Sequence, residues 1–123
     1  MEEGSQMSNK ILIRVFEVVG SPFCVASEDG QMVHDQIAAA LREGKHVELS
    51  FLNVESMTSA FLNTAVGQLY GEFSEDVIRT GVSVSQIPSD DAALLKRVVD
   101  TAKLYFSDPA RFKEISEEVL GVE

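Results

Sequence analysis

Hydrophobic and polar residues change their spacing several times along the chain, and each change predicts an element. Residues 10–19 alternate in part, with Ile11, Ile13 and Val15 on one side, and they are rich in β-branched side chains, so they predict a strand. Gly20-Ser21-Pro22 interrupts it, and Phe23-Cys24-Val25-Ala26 predicts a short second strand. Ser27-Glu28-Asp29-Gly30 supplies a capping residue and early acids for a helix. In that helix Val33, Ile37 and Leu41 recur every four residues, and Gly44 ends it. Residues 45–52 contain the near-continuous apolar run Val47-Glu48-Leu49-Ser50-Phe51-Leu52, the signature of a buried central strand. A helical turn or short helix over 74–80 and a brief strand over 81–85 follow, with Val82 and Val84 on one face. Pro88-Ser89-Asp90-Asp91 opens a long helix capped by Ser89, with Leu94, Leu95, Val98, Ala102 and Tyr105 or Phe106 on its core side. Asp108-Pro109 starts a last helix, with Phe112, Ile115 and Val119 buried.

Residues 56–71 break the pattern: sixteen positions without a charge, in a chain that is 24% charged. A soluble helix normally turns charged residues to water. Projected at 100° per residue, Phe61, Leu62, Ala65, Val66 and Leu69 share one arc, and Asn63, Thr64, Gly67, Gln68 and Gly71 lie opposite. Such a polar but neutral face suits docking onto another protein. One of Thr58 and Ser59 is expected to cap the helix, a contribution of about 1 kcal/mol. Gly67 costs about 1 kcal/mol against alanine inside a helix. Close approach of another backbone, or crowding within the domain itself, would compensate.

Composition narrows the function classes. The length of 123 residues suits one domain over residues 10–123, with residues 1–9 a flexible polar lead-in. A formal charge of −10 disfavours nucleic acid and anionic membrane surfaces and favours a basic protein partner. Cys24 is the single cysteine, so no intrachain disulfide forms. The acidic start lacks the pattern of a secretory signal, and no stretch has the length and apolarity of a bilayer span, so a cytoplasmic location is expected.

Candidate chemistry is sparse. His34 and His46 lie on different elements, and His34 is expected on the outer, solvated face of its helix beside Asp35. Cys24 sits in an apolar tetrad and reads as a buried packing residue, with a reactive thiol near the following helix start as the alternative. Asp90-Asp91 resembles a carboxylate pair, but helix starts collect acids through the dipole. No metal-binding, nucleophile-elbow, phosphate-loop or dinucleotide motif is present. The expectation is a protein that is not an enzyme and uses no metal or cofactor.

The run Val47-Glu48-Leu49-Ser50-Phe51-Leu52-Asn53-Val54-Glu55-Ser56-Met57-Thr58-Ser59-Ala60-Phe61-Leu62-Asn63 resembles the strand–loop–helix centre of STAS domains, and most of all their STAS-like subfamily. The turn over residues 20–30 and the helix from Leu94 to Phe106 are similar to that subfamily too. The resemblance implies a STAS-like α/β fold: a mixed sheet of four or five strands, the Val47-to-Leu52 strand central, covered by about four helices. It also implies a bacterial, non-catalytic regulatory module akin to anti-sigma factor antagonists. Such a module docks a GHKL-type, histidine-kinase-like ATPase through the loop and helix of residues 56–71. Thr58, Ser59, Ala60, Asn63, Thr64 and Gly67 are the partner-binding candidates. In the antagonists the loop reads Asp-Ser-Ser-Gly-Leu-Gly, and here Thr58-Ser59-Ala60-Phe61-Leu62-Asn63 stands in its place. Ala60 occupies the usual phosphoacceptor position, which leaves Ser59 as the candidate phosphoacceptor. A small-ligand or nucleotide-binding sensor is the alternative function, and a homodimer is compatible with the sequence.

Overall fold

The structure, a computed structural model, describes residues 9–107. The expected last helix from Asp108, and all of the expected lead-in but Asn9, lie outside the described residues. Strand β1 (Lys10–Arg14) runs directly into helix α1 (Val15–Val19). The single strand expected over residues 10–19 is thus half helix. Gly20 closes α1 in the left-handed region at φ 81°, donating its N–H to the Phe16 carbonyl at 2.8 Å, and Val15 is completely buried. That burial and the glycine cap outweigh the β preference of the valines.

Short strand β2 (Phe23–Cys24) leads into α2 (Ser27–Arg42), then β3 (His46–Ser50) and β4 (Ser56–Met57). Helix α3 (Ser59–Ala65) passes into a 3-10 helix (Gly67–Gly71). Helix α4 (Glu75–Gly81), strand β5 (Val82–Ser85) and the long α5 (Ser89–Ser107) complete the described fold. Helix α2 ends as the sequence predicts: Gly44 adopts φ 76°, and the Gly44 and Lys45 amides donate to the Leu41 and Ala40 carbonyls, a Schellman closure. Two caps sit one residue earlier than expected, because Ser27 and Ser89 are already the first helical residues. Ala26 takes the capping position of α2, and the Pro88 carbonyl receives the Ala92 amide at 2.8 Å.

The expected mixed sheet of four or five strands is instead two parallel sheets. One has three strands in the order β1-β3-β5, with β3 central; the other is a ribbon of β2 and β4. Helices intervene along each route between neighbouring strands of the larger sheet, so the chain returns in the same direction. The ribbon splits off after Phe51, where Asn53 takes a left-handed turn (φ 72°) and leads β4 to pair with β2.

The register Ile13↔Leu49↔Val84 shows how the core is made. Ile13, Val47 and Leu49 are buried with Val33 and Ile37 of α2 and with Phe61, Leu62 and Leu69 from the uncharged segment. On the alternate positions Lys10, Leu12, Arg14 and His46 are exposed, with Lys10 in an ion pair with Glu48 at 3.5 Å. No helix of the described residues is long and apolar enough to cross a membrane.

Candidate functional site

Helix α3 begins where the ribbon ends. The Thr58 amide donates to the Cys24 carbonyl (3.2 Å), and its hydroxyl donates to the Val25 carbonyl (3.1 Å) while accepting from the Phe61 amide (3.2 Å). Thr58 is therefore the cap, and its hydroxyl proton is committed to the Val25 carbonyl. Ser59, Ala60 and Asn63 are exposed, and the first turn of α3 carries no acid. Thr64 is half-buried, its hydroxyl bonded back to the Ala60 carbonyl at 3.1 Å, and it faces α2 rather than solvent.

Gly67 requires a correction. The sequence projection places it on the exposed face, but it is buried. The helix breaks at Val66 (φ −120°, ψ −44°) and continues as a 3-10 helix, whose tighter winding adds about 20° per residue to the projection. A side chain on Gly67 would point at α5, with a Cβ 3.7 Å from both Val98 Cγ1 and Ala102 Cβ and 3.5 Å from Asn63 Oδ1. The glycine that permits a close approach is Gly30 of α2. A Cβ there would lie 2.6 Å from the Phe61 carbonyl oxygen and 2.9 Å from Thr64 Cβ, so α2 and α3 cross almost in backbone contact.

On its other side α3 borders a groove against α5. One part, about 400 Å³, is lined by Ser59, Asn63, Arg97 and Thr101 among others. The next, about 260 Å³, is walled by Asn63, Gly67, Ala102, Tyr105 and Phe106. Arg97 makes no ion pair among the described residues. Tyr105 and Phe106, one of which is expected on the core side, are 44% and 42% exposed and pack edge to face. Val98 and Ala102 are the buried residues of α5.

His34 is the second correction: it is buried, not solvated. Gly30, His34 and Ala38 form a second buried row at four-residue spacing beside Val33, Ile37 and Leu41, because α2 is covered by α3 and the 3-10 helix as well as by the sheet. His34 Nε2 lies 3.0 Å from a Glu72 carboxylate oxygen and Nδ1 lies 3.0 Å from Asp35 Oδ1. Gln31 donates to Asp35 (2.9 Å) and stands 3.2 Å from Nδ1; Gln68 donates to Gln31 (3.2 Å). A neutral ring donates from Nε2 to Glu72 and accepts from Gln31, whereas a cationic ring donates to both carboxylates. The hydrogen bonds from His34 and then Gln31 hold the Asp35 carboxyl below its usual range. Arg42 pairs with Glu72 at 3.6 Å and lies over the Phe73 ring. With both nitrogens engaged, His34 ties α2 to the end of the 3-10 helix and has no lone pair free for a substrate. Gly30 and Gln31 can be read from the sequence only as helix residues; their roles depend on partners more than thirty positions away.

Cys24 is completely buried, and desolvation, with the Asp29 charge behind it, pushes its thiol up to about 11. It is a packing residue and does not ionise near neutrality. Asp90 and Asp91 lie in the first turn of α5, as the dipole argument expects. Among the described residues, no group of three or more His, Cys, Asp or Glu side chains is placed to hold a metal ion.

A central strand followed by a two-stranded ribbon, a neutral helix start and a helix-lined groove defines an α/β domain whose exposed features gather around α3. Residues 29–92 match the model of the STAS-like domain of unknown function (DUF4325), just over half of the chain, and the chain belongs to that family. The matched region runs from the first turn of α2 to the first turn of α5 and contains the whole uncharged segment. No curated protein and no solved structure matches the chain.

Proposed function

We propose that this domain is a non-catalytic regulatory module that binds a partner protein through the start of α3. The observation that carries the reading is the surface of Ser59, Ala60 and Asn63, exposed and without charge on a rigidly capped helix. A neutral polar patch loses little on desolvation, whereas a charged one must find its complement. Thr58 and Thr64 support the patch from beneath rather than contacting the partner. Gly67, buried beneath α5, lies outside the patch. A GHKL-type ATPase is the partner class that the STAS resemblance implies, and a phosphate on Ser59 would add about two negative charges to the patch. A small-ligand sensor is the second reading, favoured by the apolar groove of about 260 Å³ beneath Tyr105 and Phe106.

The test is capture of partners from the native cell by tagged wild-type chain, with identification by mass spectrometry. Asn63→Arg should lose the specific partner, since a charge desolvated at an interface costs several kcal/mol. Ser59→Asp should weaken it less, because the helix amino end tolerates an acid. Full retention of every partner by both folded variants would refute docking through α3.

A further inference from the structure

Three of the most exposed apolar side chains lie at one end of the fold: Phe23 is 54% exposed, Leu52 50% and Val25 49%. Phe23 and Val25 flank the buried Cys24 and so project the same way from extended chain. The ribbon sets them beside α3, with Phe23 in register with Ser56 and the Val25 carbonyl bonded to Thr58. Leu52 belongs to the connection that leaves the carboxyl end of β3 and enters β4.

Charge at this end is mainly acidic, and Arg14, which ends β1 in register with Ser50, is paired with Glu17 at 3.3 Å. Glu28 and Asp29 follow Val25 in the first turn of α2, and the Glu55 amide is bonded to the Pro22 carbonyl at 2.8 Å. None of these three carboxylates is in an ion pair among the described residues. Residues 15–41 and 46–78, which supply the patch and its acidic rim, contain no lysine or arginine. Arg97 stands across the groove from Ser59.

We infer that the Phe23–Val25–Leu52 patch receives a protein surface with an apolar centre and a lysine- or arginine-rich rim; the inference rests on the protein-binding reading above and specifies the partner's chemistry. A second copy of this chain would bring Glu28, Asp29 and Glu55 against their own kind, and an anionic bilayer would be repelled in the same way. A basic partner both satisfies the rim and gains a faster encounter with a chain of charge −10.

The full chain is tested by fluorescence anisotropy against peptides of alternating lysine and leucine, matched peptides with glutamate for lysine, and phosphatidylserine vesicles. The wild type should bind the lysine set, more weakly as salt rises, and neither of the other probes. Phe23→Ser with Val25→Ser should lose at least about tenfold. Glu28→Lys with Glu55→Lys should reverse the preference, while the same charge change at Asp90 and Asp91 should leave binding within about twofold. Equal binding of both peptide sets, preference for vesicles, self-association without peptide binding, or equal effects of the two charge reversals would overturn the inference. The native capture with Asn63→Arg reports separately. Loss there with unchanged peptide binding in the Phe23/Val25 variant retains the α3 face and removes this patch. The opposite pattern retains the patch and removes the α3 face.

Discussion

Replacing Gly30 by alanine tests the helix crossing on which the neutral surface of α3 is mounted. In an open helix the change would stabilise by up to about 1 kcal/mol, because glycine is the poorer helix former. Here the added Cβ would sit 2.6 Å from the Phe61 carbonyl oxygen, 2.9 Å from Thr64 Cβ and 3.2 Å from the Ala65 nitrogen. Two of those three atoms are backbone and cannot rotate away. Ordinary contact between such atoms needs roughly 3.5 Å, so the helices must part by about 0.5–1 Å, which forfeits a quarter to a half of the contact energy along the seam. Overpacking of this kind costs about 1–3 kcal/mol, and more where backbone must move. The expected net loss for Gly30→Ala is about 2 kcal/mol, or roughly 10 °C in Tm for a domain of this size. Gly67→Ala is the matched control. Its Cβ would meet nothing closer than 3.5 Å, so stability should hold or rise by up to about 1 kcal/mol. Urea and thermal melts of the two variants decide the matter. If Gly30→Ala is as stable as the wild type, or if Gly67→Ala loses as much, the assignment of the close approach to Gly30 is wrong.

Three further outcomes follow from the same contacts. His34→Leu, which removes the charge-assisted hydrogen bond between the buried ring and Glu72, should cost about 1.5–3 kcal/mol in urea melts, and a double-mutant cycle with Glu72→Gln should show coupling of about 1 kcal/mol. The neutral Cys24 thiol resists ionisation in the fold, so the unfolded chain loses its proton first. Stability tied to Cys24 should be present below pH 9 and fall by roughly 2–3 kcal/mol as pH rises toward about 11, a slope absent from Cys24→Ala. The Asp35 carboxyl is held low, so its contribution is present above the ordinary carboxylate range and is lost as pH falls through the folded value; Asp35→Asn should flatten the acid limb of a stability–pH curve.

The parts of the fold legible in the sequence are those set by local spacing. Val33, Ile37 and Leu41 mark the sheet-facing row of α2, Gly44 its end, and the run around Leu49 the central strand. Contacts between distant segments account for most of the rest. Val15, Val18 and Val19 carry a strand signal that burial and the Gly20 cap override. Direction within the sheet depends on helical crossovers that no strand announces, and ribbon strands of two residues leave almost no period to read. His34 is one turn beyond Gly30, and the row they share becomes visible only once α3 lies across it.

The uncharged segment was visible as a whole, yet its two halves do different things, and the break at Val66 separates them. Before the break, α3 alternates between an inward row of Phe61, Leu62 and Ala65 and an outward strip of Ser59, Ala60 and Asn63. After it, the tighter winding turns Gly67 and Leu69 inward beneath α5, and Gly71 lies against the Phe106 ring. Charge is therefore absent from the second half for a packing reason, since a buried unpaired charge would cost several kcal/mol. In the first half no such reason exists, because the outward strip would accept lysine or glutamate at little cost to the fold. Neutrality that folding does not require, beside an apolar patch with an acidic rim, is the property on which the proposed protein-binding role rests. Asn63→Lys provides the direct check: an unchanged urea midpoint with loss of the captured partner assigns that neutrality to binding, whereas a destabilised fold would return it to packing.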